Sequence, residues 1–128
     1  MQDQLLYEYA VIRIVPRVER EEFLNVGVVL YCASRKFLQA RYVLNAGRIT
    51  AFSCKTDVAE IARYLEAFER ICAANPDGGP ISRLPAAERF RWLTATRSTV
   101  VQASKVHPGF CISPEEKLEQ LFRELVLE

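Results

Sequence analysis

Residues 24–44, LNVGVVLYCASRKFLQARYVL, hold the connection on which the fold turns. Leu24–Cys32 is rich in β-branched and aromatic residues, the small and polar run Ala33-Ser34-Arg35-Lys36 interrupts it, and Phe37–Leu44 resumes strand character. Four residues cannot hold a crossover helix. The two runs must therefore return antiparallel as a hairpin.

Upstream, Tyr7–Val15 (YEYAVIRIV) is apolar on both alternating faces, which predicts a central strand stopped by Pro16. The charged run VEREE at 18–22 reads as a solvated connection. Downstream, NAGR at 45–48 reads as a turn and ITAFS at 49–53 as a short strand or an irregular stretch. From Thr56 the period changes from two to about 3.6. Val58, Ile61, Leu65, Phe68 and Cys72 then share one stripe, which predicts an amphipathic helix over 57–74, ended by NPDGGP at 75–80. Pro85 can open a short helix reaching Leu93, and RSTVVQASKVH at 97–107 returns to strand character. Ser113, Pro114 and Glu116 form a capping-box pattern for a last helix over 114–127 that buries Leu118, Leu121, Phe122, Leu125 and Val126.

The order β-β-β-α-α-β-α predicts an α+β class: one domain over residues 1–128, with a mainly antiparallel sheet of about four strands and helices packed on one face. The other face then meets solvent, a partner or a ligand. Half of the 128 residues are hydrophobic, enough for a core of its own. The net charge of +1, from 17 Lys and Arg against 16 Asp and Glu, supplies no global field toward nucleic acid or an anionic membrane, so any basic site must be local. The opening MQDQLLYEYAVIRIV has no basic leader and is interrupted by Glu8 and Arg13, which predicts a cytoplasmic chain without a membrane segment.

Catalytic signatures are scarce. Cys32, Cys54, Cys72 and Cys111 contain no Cys-x-x-Cys pair and stand with a single histidine, so they read as reduced structural thiols rather than a zinc module. None of the five glycines leads into the Lys-Ser/Thr pair of a phosphate loop. Ser98 and Ser104 alternate with His107 on a regular strand, which disfavours a triad, and the carboxylates show no paired spacing. The residues predict neither cofactor nor metal, and a binding module in preference to an enzyme.

One polar constellation stands out. On a regular strand over 97–107, Arg97, Thr99, Lys105 and His107 share a cationic face, and Ser98, Gln102 and Ser104 share the other with Val100 and Val106. Arg13 interrupts an aromatic face of the first strand, Asn25 shares a face with Gly27, and Gln39 shares one with Arg41. Arg13, Asn25, Arg41, Arg97, Ser98, Gln102 and His107 are the binding candidates. They could tile a solvated sheet surface or recognise an acidic or phosphorylated group. RFRW at 89–92 interleaves basic and aromatic residues as single-strand binders do, but one such tetrapeptide is a weak signal, and Trp92, flanked by Phe90 and Leu93, reads as a core anchor of a short helix rather than a base-stacking residue.

The segments YEYAVIRIVPRVEREEFLNVGVVLY at 7–31 and FRWLTATRSTVVQASKVHPG at 90–109 resemble the bacterial family designated domain of unknown function 3037, and the likeness extends over nearly the whole chain. Arg13, Pro16, Asn25, Gly27, Trp92, Arg97, Ser98, Gln102, His107 and Gly109 are positions in its two recognisable segments. The family brings no established activity, cofactor or catalytic residue. The resemblance implies a small cytoplasmic accessory protein whose gene often neighbours one for a HipA-like kinase. That kinase is the protein partner it points to, with nucleic acid or another phosphate-bearing ligand as the alternative.

Overall fold

The computed structural model describes residues 4–97 and 99–128. At its centre lies β1 (Leu5–Ile14), paired on one edge with β2 (Leu24–Cys32) and on the other with two short strands, β4 (Val101–Ala103) and β5 (His107–Cys111). β3 (Phe37–Tyr42) pairs with β2 through the expected hairpin, and every pairing is antiparallel. β4 and β5 lie end to end along β1, so the sheet has four lanes. The class is α+β with an antiparallel sheet.

Among the described residues four α-helices complete it: α1 (Ala46–Phe52), α2 (Val58–Cys72), α3 (Ala86–Leu93) and α4 (Pro114–Phe122), the last running into a π turn over Arg123–Leu127. The stretch expected as strand or irregular is α1. The Asn45 side chain accepts the Arg48 N–H at 3.0 Å and starts a helical turn, and Ile49 fixes that turn in the core, which overrides local β preference. In α2 the Asp57 carboxylate accepts the Ala59 and Glu60 N–H groups, and Ile61, Leu65 and Phe68 pack on Ala10, Ile12 and Ile14 of β1. Each fully buried Leu or Ile contributes about 1.5–3 kcal/mol. The exposed Glu66–Arg70 pair contributes about 0.3–0.5 kcal/mol. Burial of the stripe holds α2 in place.

The helices, expected on one face, divide over two. α2 and α3 cover the face carrying Ala10, Ile12 and Ile14, with α1 contributing Ile49 to the same core. α4 covers the opposite face through Leu118, Leu121 and Phe122, packed on Tyr7, Val28, Leu30 and Phe37. A central strand apolar on both faces needs both covered.

Two one-residue irregularities decide which side chains share a face. Between Ile12 and Arg13 the partner in β2 jumps from Gly27 to Asn25, leaving Val26 as an extra residue. Asn25 and Gly27, two apart in sequence, therefore lie on opposite faces, contrary to strict alternation. Gly27 itself admits no side chain, because a Cβ there would stand 2.7 Å from the Arg41 carbonyl oxygen and from Tyr42 Cβ. The second irregularity separates β4 from β5. Tyr9 pairs with His107 but Ile12 pairs with Ala103, so three steps of β1 face four of the outer lane. The regular strand expected over 97–107 is not formed: Arg97, Thr99 and Val100 lie outside any strand, and an extra residue between β4 and β5 then reverses the alternation. Ser104 repairs the ladder there, its hydroxyl accepting the Val11 N–H at 2.8 Å while its own N–H donates to the Val11 carbonyl at 2.8 Å.

Ser104→Ala leaves the Val11 N–H without that acceptor and should lower unfolding free energy by about 1–3 kcal/mol in urea titrations. A second outcome concerns Tyr42, which ties β3 to α2 by donating its hydroxyl to the Glu69 carboxylate. Burial first, and then this bond, push its pKa from 10.0 up to about 12. The folded state holds that proton more tightly than the unfolded chain, so the contribution is complete below pH 10 and is lost as pH rises through about 12. Tyr42→Phe should flatten the alkaline fall in stability over that window. The slope that remains includes Cys72, whose thiol burial pushes from 9.0 up to about 12.

Candidate functional site

The cross-strand register brings three of the candidate residues into one row. Arg13 pairs with Asn25 on one side and with Gln102 on the other, all on the face that α4 covers farther along. The Arg13 guanidinium folds over the Phe23 ring at 3.8 Å, and burial lowers its pKa. Its Nε and the Oδ1 of Asn25 are both buried without a protein partner. The rest of the row is engaged internally. Asn25 Nδ2 donates to the Leu125 carbonyl at 3.3 Å, and Gln102 Nε2 donates to the Thr99 carbonyl at 2.8 Å.

Arg41 shares that face but holds α4. It pairs with Glu119 at 2.6 Å and lies 5.2 Å from the Phe122 ring. His107 is exposed on the same face, its ring 5.3 Å from that of Tyr9. Arg97 is elsewhere, outside any strand, with its guanidinium 4.1 Å from the Trp92 ring and donating to the Trp92 carbonyl. Ser98 lies outside the described residues. Arg13, Arg41 and His107 thus line different parts of one face, and Arg97 is not brought to them.

Arg97 instead belongs to a groove between α2, α3 and β4. Tyr64 and Phe68 of α2, Trp92 and Leu93 of α3, and Val101 and Ala103 of β4 form its walls. Trp92 is not the core anchor expected from RFRW: it is 41% exposed, and Tyr64 beside the groove is 48% exposed. The reason is helical phase. Phe90 and Leu93 lie within about 60° of each other around α3 and take its core-facing side, which turns Trp92 outward. The enclosed volume is about 200 Å³. That is below the ~300–1,000 Å³ usual for small-molecule pockets and suits one or two side chains of a partner. Sequence reasoning missed Tyr64. The available signal was an aromatic standing just outside the 58-61-65-68-72 stripe.

A wider, open depression of about 720 Å³ lies between Pro16–Arg20 and Thr50–Ile61. Its charges are already balanced, since Arg17 pairs with Glu19 and Arg20 with Glu22, and Lys55 stands among Asp57 and Glu60. Among the described residues no three His, Cys, Asp or Glu side chains cluster as metal ligands.

The family model described as protein of unknown function, DUF3037, matches residues 9–126. The chain belongs to this family. No curated protein and no solved structure matches it. In this DUF3037 chain the groove carries Trp92, Arg97 and Gln102, three of the positions on which the resemblance rests, and the cross-strand row carries Arg13, Asn25 and again Gln102.

All four cysteines are free, and only Cys54 is exposed. Burial raises the thiol pKa of Cys111 as well as that of Cys72. Alkylation of the native protein followed by intact-mass measurement should modify one thiol rapidly, at Cys54, and all four after denaturation. Fast native labelling of a second thiol would contradict the burial described.

Proposed function

We propose that this chain is a non-catalytic module that binds a protein partner in the bacterial cytoplasm, using the groove between α2, α3 and β4. The observation that carries the reading is the pair of half-exposed aromatics, Tyr64 and Trp92, on the rim of a largely apolar groove with Arg97 stacked on the tryptophan. Large aromatics and arginine are the side chains that dominate binding energy at protein interfaces. An apolar partner side chain would fill the groove while an adjacent carboxylate meets the free donors of Arg97. The HipA-like kinase to which the family resemblance points is the first partner to test. The compartment is supported by three buried free thiols, and no helix among the described residues is long and apolar enough to cross a membrane.

The alternative, recognition of nucleic acid or another phosphate-bearing ligand, needs several cations converging on one surface. Arg41 is paired with Glu119 and Arg97 stands apart from Arg13 and His107, so the geometry favours the protein partner.

Calorimetric titration of the full chain with the kinase, and separately with single-stranded DNA, decides between them. Trp92→Ala should cost about 1–2 kcal/mol of stability, below the ~3–5 kcal/mol of a buried tryptophan, while weakening kinase binding about tenfold or more. Arg97→Ala should weaken it less and reduce its salt dependence. Kinase binding unchanged in both variants removes the groove from the account. DNA binding lost on Arg13→Ala and His107→Ala would favour the alternative.

A further inference from the structure

The outer lane of the sheet ends in a different surface. The peptide groups of Val11 and Val15 face the β4 lane, as their bonds to Ser104 and Val100 show. Alternation along β1 then directs Leu5, Tyr7 and Tyr9 toward β5, so that their partners Cys111, Gly109 and His107 are the inward-bonded residues. Pro108 and Phe110 direct their backbone groups away from the sheet. Beside this edge, which pairs with no further strand among the described residues, stand Phe110, 63% exposed, its cross-strand partner Leu6 at 55%, and Ile112 at 55%. An unpaired edge flanked by large apolar side chains is a template for a further strand.

We infer that the strand it takes is β5 of a second copy of this chain, antiparallel about a two-fold axis through Phe110. The register makes the surface self-complementary. Phe110 exchanges both hydrogen bonds with Phe110 of the second copy, and at the next bonded pair the Pro108 carbonyl accepts the Ile112 N–H of the second copy, while proline's missing N–H leaves the Ile112 carbonyl to solvent at the rim of the junction. Charge agrees with the same axis. Lys105 stands two residues before β5 and Glu115 in the first turn of α4, four residues after it, so antiparallel pairing of the two strands brings the Lys105 end of each copy toward the Glu115 end of the other. Both side chains are exposed, and neither takes part in an ion pair among the described residues. Phe110, Leu6 and Ile112 then form one apolar cluster across the junction, and the four-lane sheet continues into eight. The two-fold pairing uses the β5 edge of both copies and so closes at two.

Sedimentation velocity over a concentration series should find the 128-residue chain as a dimer and Phe110→Glu as a folded monomer, since an exposed edge residue is replaceable without loss of the core. Lys105→Glu should weaken dimerisation about tenfold, and adding Glu115→Lys should restore it. In a Cys54→Ser background, Phe110→Cys should form an intermolecular disulfide on mild oxidation, because facing residues of a hydrogen-bonded pair stand about 5.5 Å apart, within disulfide reach. A monomeric wild type, or a dimer indifferent to Phe110→Glu, overturns the inference. Neither result bears on the groove, whose Trp92 and Arg97 variants should leave the dimer intact.

Discussion

β1 is paired along both edges and, past Leu6, covered on both faces, and that double requirement organises the molecule. Its backbone must find partners on two sides, and its side chains must find apolar cover above and below. β2 meets the first edge along its length. The second edge is harder to satisfy, because the outer lane comes from a segment with one residue too many. The Ser104 hydroxyl resolves this by accepting the Val11 N–H, so a side chain substitutes for a peptide group at the break in the ladder. Once both edges are closed, the two faces dictate the helices: α2 and α3 on Ile12 and Ile14, and α4 on Tyr7 and the alternate residues of β2.

Several polar residues that read as binding groups work inside this frame. Asn25 and Arg48 donate to the Leu125 and Val126 carbonyls, where the π turn leaves the end of the last helix in need of donors. Arg41 completes the same attachment through Glu119 and the Phe122 ring. Arg89, one of the two arginines in RFRW, donates to the carbonyls of Ile71, Cys72 and Leu84, closing the end of α2 and fixing the loop that leads into α3. A basic residue near an aromatic in sequence is as well suited to this task as to nucleic acid, because a guanidinium can serve several carbonyls at once.

The surfaces left over are therefore selective. Trp92 and Tyr64 remain outside because the core positions of their helices are filled by Phe90, Leu93, Leu65 and Phe68. Phe110 and Leu6 remain outside because no helix among the described residues reaches the β5 end of the face that carries Ala10 and Ile12. Gly109 shows how tightly the opposite face is filled at the same strand: a Cβ there would stand 2.5 Å from the Tyr7 hydroxyl, so the tyrosine ring occupies the space of the missing side chain.

The hairpin at 24–44, the central strand, the apolar stripe of α2 and the last helix with its Ser113 cap were legible in sequence, because each depends on a local period or a cap a few residues long. The sharing of faces was not. Within a run of strand, alternation is local, but Val26 and the step between β4 and β5 each insert one residue whose effect exists only relative to β1, and each reverses everything beyond it. That is why Asn25 parted from Gly27 and joined Arg13 and Gln102; Arg97 parted from His107 because it stands outside any strand. Composition and periodicity determined that there would be an antiparallel sheet with amphipathic helices. Only the tertiary pairing decided which polar residues would face a partner and which would hold the chain together, because one residue of register exchanges the two sides of a strand.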